Sequence, residues 1–396
     1  YSVNGVTESW SFHNKEVPYR EYMNQLNGFT LSKYDPNEWA ELIEKSGAKY
    51  AVITTKHHDG VALYDTKMNN LSSVKSTPSK RDLITPLFSA LRKKNIKCGA
   101  YYSLIDWSHN DYPGFLKDSG RYKIASDTNR WNRFRDFFQG QIQELSTKFN
   151  PDLFWFDGDW EHSAKEWQAE KVRKNILSIN NKAIINGRLQ GFGDYATPEQ
   201  NIPVTRPATK YWEMCMTLND NWGYQKKDTH WKTPFEIITI FTDVISNGGN
   251  LLLDFGPKED GTFPKEVHQV VKELGDWNQR NGEAVFNTLG GIGQGHFYGP
   301  TTISKDSTIL YLFIQEKKSG YVSLKGLNNK IINIKALHNN MDIKYKIVGK
   351  ISWSSIPGIV YIDVPENAND KYVTVLRVKL DKPISMYKGT GGRSEE

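Results

Sequence analysis

Between about residues 34 and 280, short runs of β-branched and aromatic residues alternate with longer amphipathic stretches. This alternation predicts repeated βα units. Strands are expected at 50–55, 97–103, 152–157, 182–187, 209–215 and 250–255, with helices near 36–46, 82–95, 127–148, 163–180, 234–246 and 264–281. Asp35-Pro36 and Thr233-Pro234 supply N-cap and first-position signals for two of those helices. After about residue 295 the period changes to two, in LYLFIQ, YVSLKG, IINIKAL, IKYKIVG, IVYIDV and KYVTVLRVKL, separated by Gly, Asn and Lys turns. Strands of that kind build a β-sandwich. The expected fold is therefore α/β: a (β/α)8-type, TIM-like barrel over 1–292, a C-terminal antiparallel β-sandwich over 293–388, and a flexible tail over 389–396.

Composition changes this picture little. The chain has 396 residues, enough for two cores. Its net charge of +6 is mixed along the chain without a basic run, so a nucleic-acid partner is not expected. A mildly basic surface would suit sulfated glycans as well as plain solvation. Aromatic residues make up 13% of the chain, which serves large cores and sugar-stacking clefts alike. Cys98 and Cys215 fall in separate expected strands and read as small core residues. No apolar run is long enough to span a membrane. The chain opens at Tyr1 without Met or a signal peptide, as a processed or trimmed product would.

In a parallel barrel the active site forms at the C-terminal ends of the strands, so polar residues there are the candidates. The first strand ends in Lys56-His57-His58-Asp59-Gly60. Adjacent strand residues point to opposite faces, so both histidines reach one site only if the strand has ended and turned. A metal site would need a third and fourth ligand. No other close His or Cys pair occurs at the strand ends, and no metal or other cofactor is expected.

Asp157 follows four apolar residues at the end of 152–157, on the same face as Leu153 and Trp155, with Gly158 letting the chain turn close to a ligand. Asp159 is better placed than Asp157 to cap the next turn. Arg188 follows the strand at 182–187 and suits a sugar hydroxyl or a carboxylate. Glu199 lies in a Gly-rich loop beside Pro198, and Glu213 lies within a strand, where burial without partners is costly. Two carboxylates flanking a glycosidic bond are the minimum for its hydrolysis, and Asp157, Glu199 and Glu213 are the three candidates. No Ser-His-Asp grouping or phosphate-binding Gly-rich loop competes.

Over roughly residues 20–290 the chain resembles the α-L-fucosidases of glycoside hydrolase family 29. The resemblance rests on TTKHHDGVALYDT, the KRDL at 80–83, GAYYS, LFWFDGDW, INGR, GDYATPEQ, YWEMCMTLNDNWGY and VISNGGNLLLDFGP. It implies a retaining, exo-acting enzyme that removes terminal α-L-fucose from glycans, with Asp157 as nucleophile. It further implies that His57, His58, Tyr102, Trp155 and Arg188 contact the sugar. Glu199 resembles the acid/base of the subfamily that prefers α-1,3/1,4-linked fucose, with Glu213 in reserve. A periplasmic or secreted location goes with the resemblance. The family's pattern places a strand ending in His-Trp-Gly before a Tyr-Ser pair, which here is Tyr1-Ser2, so the first barrel strand is expected to be absent from this sequence. Two other readings stand beside this one: an α-L-galactosidase on the same scaffold, and a fucose-binding protein without turnover.

Overall fold

The computed structural model describes residues 8–114, 122–204 and 206–389. The Tyr1-Ser2 pair and nearly all of the expected tail lie outside the described residues. The chain divides into two compact units. Unit 1 comprises 1–197, 217–231 and 253–271; unit 2 comprises 198–216, 232–252 and 272–396.

Unit 1 is built on a parallel sheet of four strands in sequence order: β1 (Tyr50–Lys56), β2 (Lys97–Ser103), β3 (Leu153–Asp157) and β4 (Ile184–Ile185). Helices alternate with the strands, at Pro36–Lys45, Ile84–Lys93 and Thr128–Glu144. Asp35 accepts the Asn37 N–H at 2.7 Å with Pro36 at the first helical position, and Asp127 accepts from the Arg130 N–H at 2.9 Å. These side chains satisfy donors that have no partner inside the helix.

The expected helix at 163–180 is instead two, Ala164–Trp167 and Ala169–Ile179, divided at Gln168, whose φ is 52°. The fully buried Trp167 donates its Nε1–H to the Asp159 carbonyl at 2.9 Å, which anchors the first turn before the second begins. β4 is shorter than the expected 182–187 for an equally local reason. The Asp194 carboxylate accepts the Ile185 N–H at 2.8 Å and the Asp194 N–H donates to the Ile185 carbonyl at 2.7 Å, so a returning loop replaces part of a neighbouring strand.

Two further strands, β5 (Glu213–Thr217) and β6 (Asn250–Asp254), pair with each other in a separate sheet. Each precedes a long helix, Pro234–Ser246 and Lys265–Asn281 respectively, and the first of these opens with a Thr233/Glu236 capping box. Among the described residues the four-stranded and two-stranded sheets do not join into one closed ladder, so the expected eight-stranded ring is present only as its βα repeat.

The C-terminal part of unit 2 is an antiparallel sandwich. Its strands are β7 (Thr288–Gly290), β8 (Thr301–Ser304), β9 (Ile309–Ile314), β10 (Gly320–Lys325), β11 (Ile331–Ala336), β12 (Met341–Asp342), β13 (Tyr345–Val348), β14 (Ile359–Val364) and β15 (Thr374–Leu380). One sheet has the order β12-β11-β15-β9-β8-β7 and the other β10-β14-β13. Alternate residues such as Leu310, Leu312, Val360, Ile362, Leu376 and Val378 fill the space between them. β7 starts before residue 293, so the sandwich sheet begins earlier than the change of period suggested. Cys98 and Cys215 are both buried, and burial pushes the Cys98 thiol up to about 11, as suits a core residue. Among the described residues no helix is long and apolar enough to cross a membrane.

Candidate active site

The site is set by register. β2 and β3 pair Tyr101 with Trp155 and Ser103 with Asp157, so these four side chains share one face. Asp157 ends β3 and is 8% exposed. Gly158 follows with φ 76°, and a Cβ there would lie 2.7 Å from Ile105, so the turn that frees Asp157 needs glycine.

Two donors hold the Asp157 carboxylate. Arg188 Nη1 donates to Oδ1 at 2.8 Å and the Tyr101 hydroxyl donates to Oδ2 at 2.7 Å. The Arg188 guanidinium lies 4.6 Å over the Trp155 ring, Trp155 stacks on Tyr101 at 5.5 Å, and Tyr101 stacks on His57 at 5.7 Å. A row of parallel planes thus crosses three strand ends, fixing the donors before any ligand arrives.

Tyr102, expected as a sugar contact, is not part of this face. Alternation turns it to the other side of the sheet, where it is fully buried, donates to Gln141 Oε1 at 2.8 Å and has Lys56 Nζ 4.6 Å above its ring. Tyr101 lies on the Asp157 face instead.

The His57-His58 pair lies beyond the end of β1, as a shared site demands. A register shift between Thr54 and Lys56 precedes it, and the Gly60 N–H closes a turn on the His57 carbonyl at 3.0 Å. Gly60, at φ 78°, leaves no room for a side chain, since a Cβ would sit 2.1 Å from Ser108 Oγ. His58 Nδ1 is 2.6 Å from Ser103 Oγ, and that hydroxyl donates to the Ile105 carbonyl at 2.7 Å. A hydroxyl has one proton, so Nδ1 carries the hydrogen and Nε2 is left as an acceptor. Nε2 faces Asp157 Oδ2 at 3.7 Å. Burial, only partly offset by the Asp157 charge, pushes the His58 pKa down to about 4, so the ring is neutral near pH 7.

His57 Nδ1 is 2.9 Å from Ser9 Oγ, and its Nε2 is 3.6 Å from Glu8 Oε2. Glu8 escaped the sequence reading because it follows no predicted strand. Burial raises its pKa, with the charges of Asp59 and Asp157 adding to the effect. Asp254, at the end of β6, has a buried Oδ2 without a hydrogen-bond partner, and burial and the Glu8 charge push its carboxyl well above the usual range. Asp159 does not cap the following turn; its Oδ2 accepts the Gln190 N–H at 2.7 Å, tying the loop after β3 to the segment after Arg188.

Ligand atoms of His57, His58 and Asp157 lie within 4.8 Å of one another, close enough in principle for a cation. The donor set argues for hydrogen bonding instead. Both Asp157 oxygens already accept from Arg188 and Tyr101, and the guanidinium puts positive charge beside the carboxylate.

Glu199 and Glu213 belong to unit 2. Glu199 is exposed, but its backbone is held: the Gln200 N–H donates to the Cys215 carbonyl at 2.9 Å and the Cys215 N–H to the Pro198 carbonyl at 3.1 Å. The Gly-rich loop is therefore tied to β5 at this point. Glu213 opens β5 and is 4% exposed.

A strand-end carboxylate held beside a guanidinium is the kind of group with which a glycoside hydrolase attacks an anomeric carbon. The sequence profile of the α-L-fucosidase family matches residues 2–283, and the chain belongs to that family. The tissue α-L-fucosidase of Mus musculus is 31% identical over 75% of this chain, and the α-L-fucosidase of Dictyostelium discoideum is 28% identical over 72%. This chain spans 67% and 63% of their respective lengths. Among solved structures, α-L-fucosidase isoenzyme 1 from Paenibacillus thiaminolyticus superposes with a TM-score of 0.84 at 28% identity, covering 95% of this chain and 93% of that one. A family 29 α-L-fucosidase from Bacteroides thetaiotaomicron, trapped as a covalent intermediate with 2-fluoro-fucosyl fluoride, gives 0.82 at 26%, covering 94% and 88%. These likenesses make the fold a TIM-barrel-like catalytic part with a β-sandwich.

Proposed function

We propose that the chain is a retaining, exo-acting α-L-fucosidase that works by double displacement on a (β/α)8-type barrel. The observation that carries this reading is the Asp157 carboxylate, fixed by Arg188 and Tyr101 and faced by the acceptor nitrogen of His58. Asp157 attacks the anomeric carbon as the bond to the leaving oxygen breaks, giving a fucosyl ester. A second carboxyl group donates its proton to that oxygen. In the second half the same group takes a proton from water, and the water oxygen displaces Asp157 with overall retention.

His58 Nε2 accepts a hydrogen bond from a sugar hydroxyl, and His57 makes a second contact to the ring. Glu199 is the proposed acid/base, with Glu213 the alternative. Glycans bearing α-1,3/1,4-linked fucose are the proposed substrates, and a periplasmic or secreted location is proposed with them.

Leaving-group dependence tests the acid/base assignment. A general acid matters most for a poor leaving group. Glu199→Ala is expected to lose far more activity on fucosylated oligosaccharides than on dinitrophenyl fucoside, with azide restoring turnover. If Glu213→Ala shows that pattern and Glu199→Ala does not, the proton donor is Glu213. Release of L-galactose in preference to L-fucose, or binding of fucose without hydrolysis by the unmodified chain, would overturn the fucosidase reading itself.

A further inference from the structure

We infer that the outer face of the smaller sandwich sheet is a binding surface for a sulfated glycan chain, separate in function from the hydrolytic site. The sheet β10-β14-β13 is extended on its β10 side by residues 296–298. Phe297 bridges Leu324, and the Lys325 N–H donates to the His296 carbonyl at 2.8 Å. Phe297 and Leu324 are buried inward, so Tyr298 and Ser323 point outward. Register carries the outward row on: Ser323 pairs with Tyr361, and Tyr361 with Lys346. Tyr321 and Lys325 flank Ser323 on the same face.

Inward residues obey the sandwich rule, and among the outward ones the tyrosines depart from it. Tyr298 is 78% exposed and Tyr321 55%, on a face where a solvated sheet ordinarily carries small polar groups. Tyr321 and Tyr361 meet edge to face at 6.4 Å. Tyr298 and Tyr361 lie two strands apart, about 10 Å at the usual strand spacing, roughly the length of two linked pyranose rings. Aromatic planes so spaced offer stacking surfaces to successive sugars of one chain.

Charge decides which glycan, with two lysines set against the one carboxylate, Asp363, that register places beside Tyr321. Lys346 Nζ lies 4.5 Å over the Tyr321 ring, and Lys325 Nζ lies 4.8 Å over the Tyr298 ring and 3.3 Å from its hydroxyl. Neither lysine has an ion-pair partner among the described residues. Each ammonium thus lies over one face of its tyrosine, beside the neighbouring Tyr361 ring, where a sulfate ester projecting from a sugar stacked on that ring would meet it. The sulfate is charged at every working pH and leaves the ring's apolar face free for tyrosine.

Affinity electrophoresis of the full chain through gels containing a sulfated fucan tests this, with the same polymer after desulfation, a polyuronate and polyphosphate as comparisons. The sulfated polymer is expected to retard the protein most. Tyr298→Ala/Tyr361→Ala and Lys325→Ala/Lys346→Ala are each expected to weaken retardation roughly tenfold or more, with nitrophenyl fucoside hydrolysis and Tm unchanged. No retardation by the sulfated polymer overturns the inference. So does equal retardation by the desulfated polymer, the polyuronate or polyphosphate, or full retention by the tyrosine variant. The outcome is independent of whether the chain cleaves fucosides.

Discussion

The Tyr101 hydroxyl donates to Asp157 Oδ2 at 2.7 Å, while the next residue, Tyr102, donates to Gln141 on the opposite side of the sheet. Two adjacent, chemically identical side chains thereby acquire unrelated tasks. Tyr101→Phe removes a hydrogen bond to a charged group, and kcat/KM on aryl fucosides is expected to fall about 10–100-fold. Tyr102→Phe is expected to leave kcat/KM unchanged and to lower stability by about 1 kcal/mol. Steady-state kinetics and denaturant unfolding of both variants check the pair; the reverse pattern would restore Tyr102 to the site.

How much could be read from the sequence follows from such particulars. The strand ends at Lys56 and Asp157 were legible because turn residues follow them directly, and His57-His58 could share a site only beyond a strand, where the structure puts them. The choice between Tyr101 and Tyr102 needed the β2–β3 register, a long-range fact that alternation within β2 cannot supply. Glu8 carried no local signal, and the brevity of β4 depends on Asp194 returning to pair with Ile185.

His58 supplies a pH dependence. Its folded pKa of about 4 lies below the roughly 6.5 of an unfolded histidine, so between these values the unfolded chain binds more protons. The contribution is present above about 6.5 and is lost as pH falls toward 4. His57, whose pKa burial also depresses, acts in the same direction. Tm is expected to drop across that window, and His58→Gln to flatten the slope. An unchanged slope in the variant would assign the drop to other groups.

Asp254 has the opposite sign. A carboxyl whose folded pKa is raised makes the folded state the better proton binder, so stability falls as pH rises from about 3.9 toward the folded value. Asp254→Asn replaces the carboxyl with a group that never ionises. Its Tm at pH 8 is expected to exceed that of the unsubstituted chain by roughly 1–3 °C, with the difference vanishing near pH 4. A variant less stable at both pH values would contradict the assignment.

Asp157 as nucleophile is the central claim, and covalent labelling tests it most directly. A 2-deoxy-2-fluoro-fucosyl fluoride slows breakdown of the ester more than its formation, because the electron-withdrawing fluorine destabilises the oxocarbenium-like transition state while fluoride leaves readily. Incubation followed by proteolysis and mass spectrometry is expected to find one 2-deoxy-2-fluoro-fucosyl adduct, on the peptide containing Leu153–Asp157, and none in Asp157→Ala. A stoichiometric adduct on another carboxylate, or turnover of the fluoride that yields 2-deoxy-2-fluoro-fucose of inverted configuration with no adduct at all, would contradict the account.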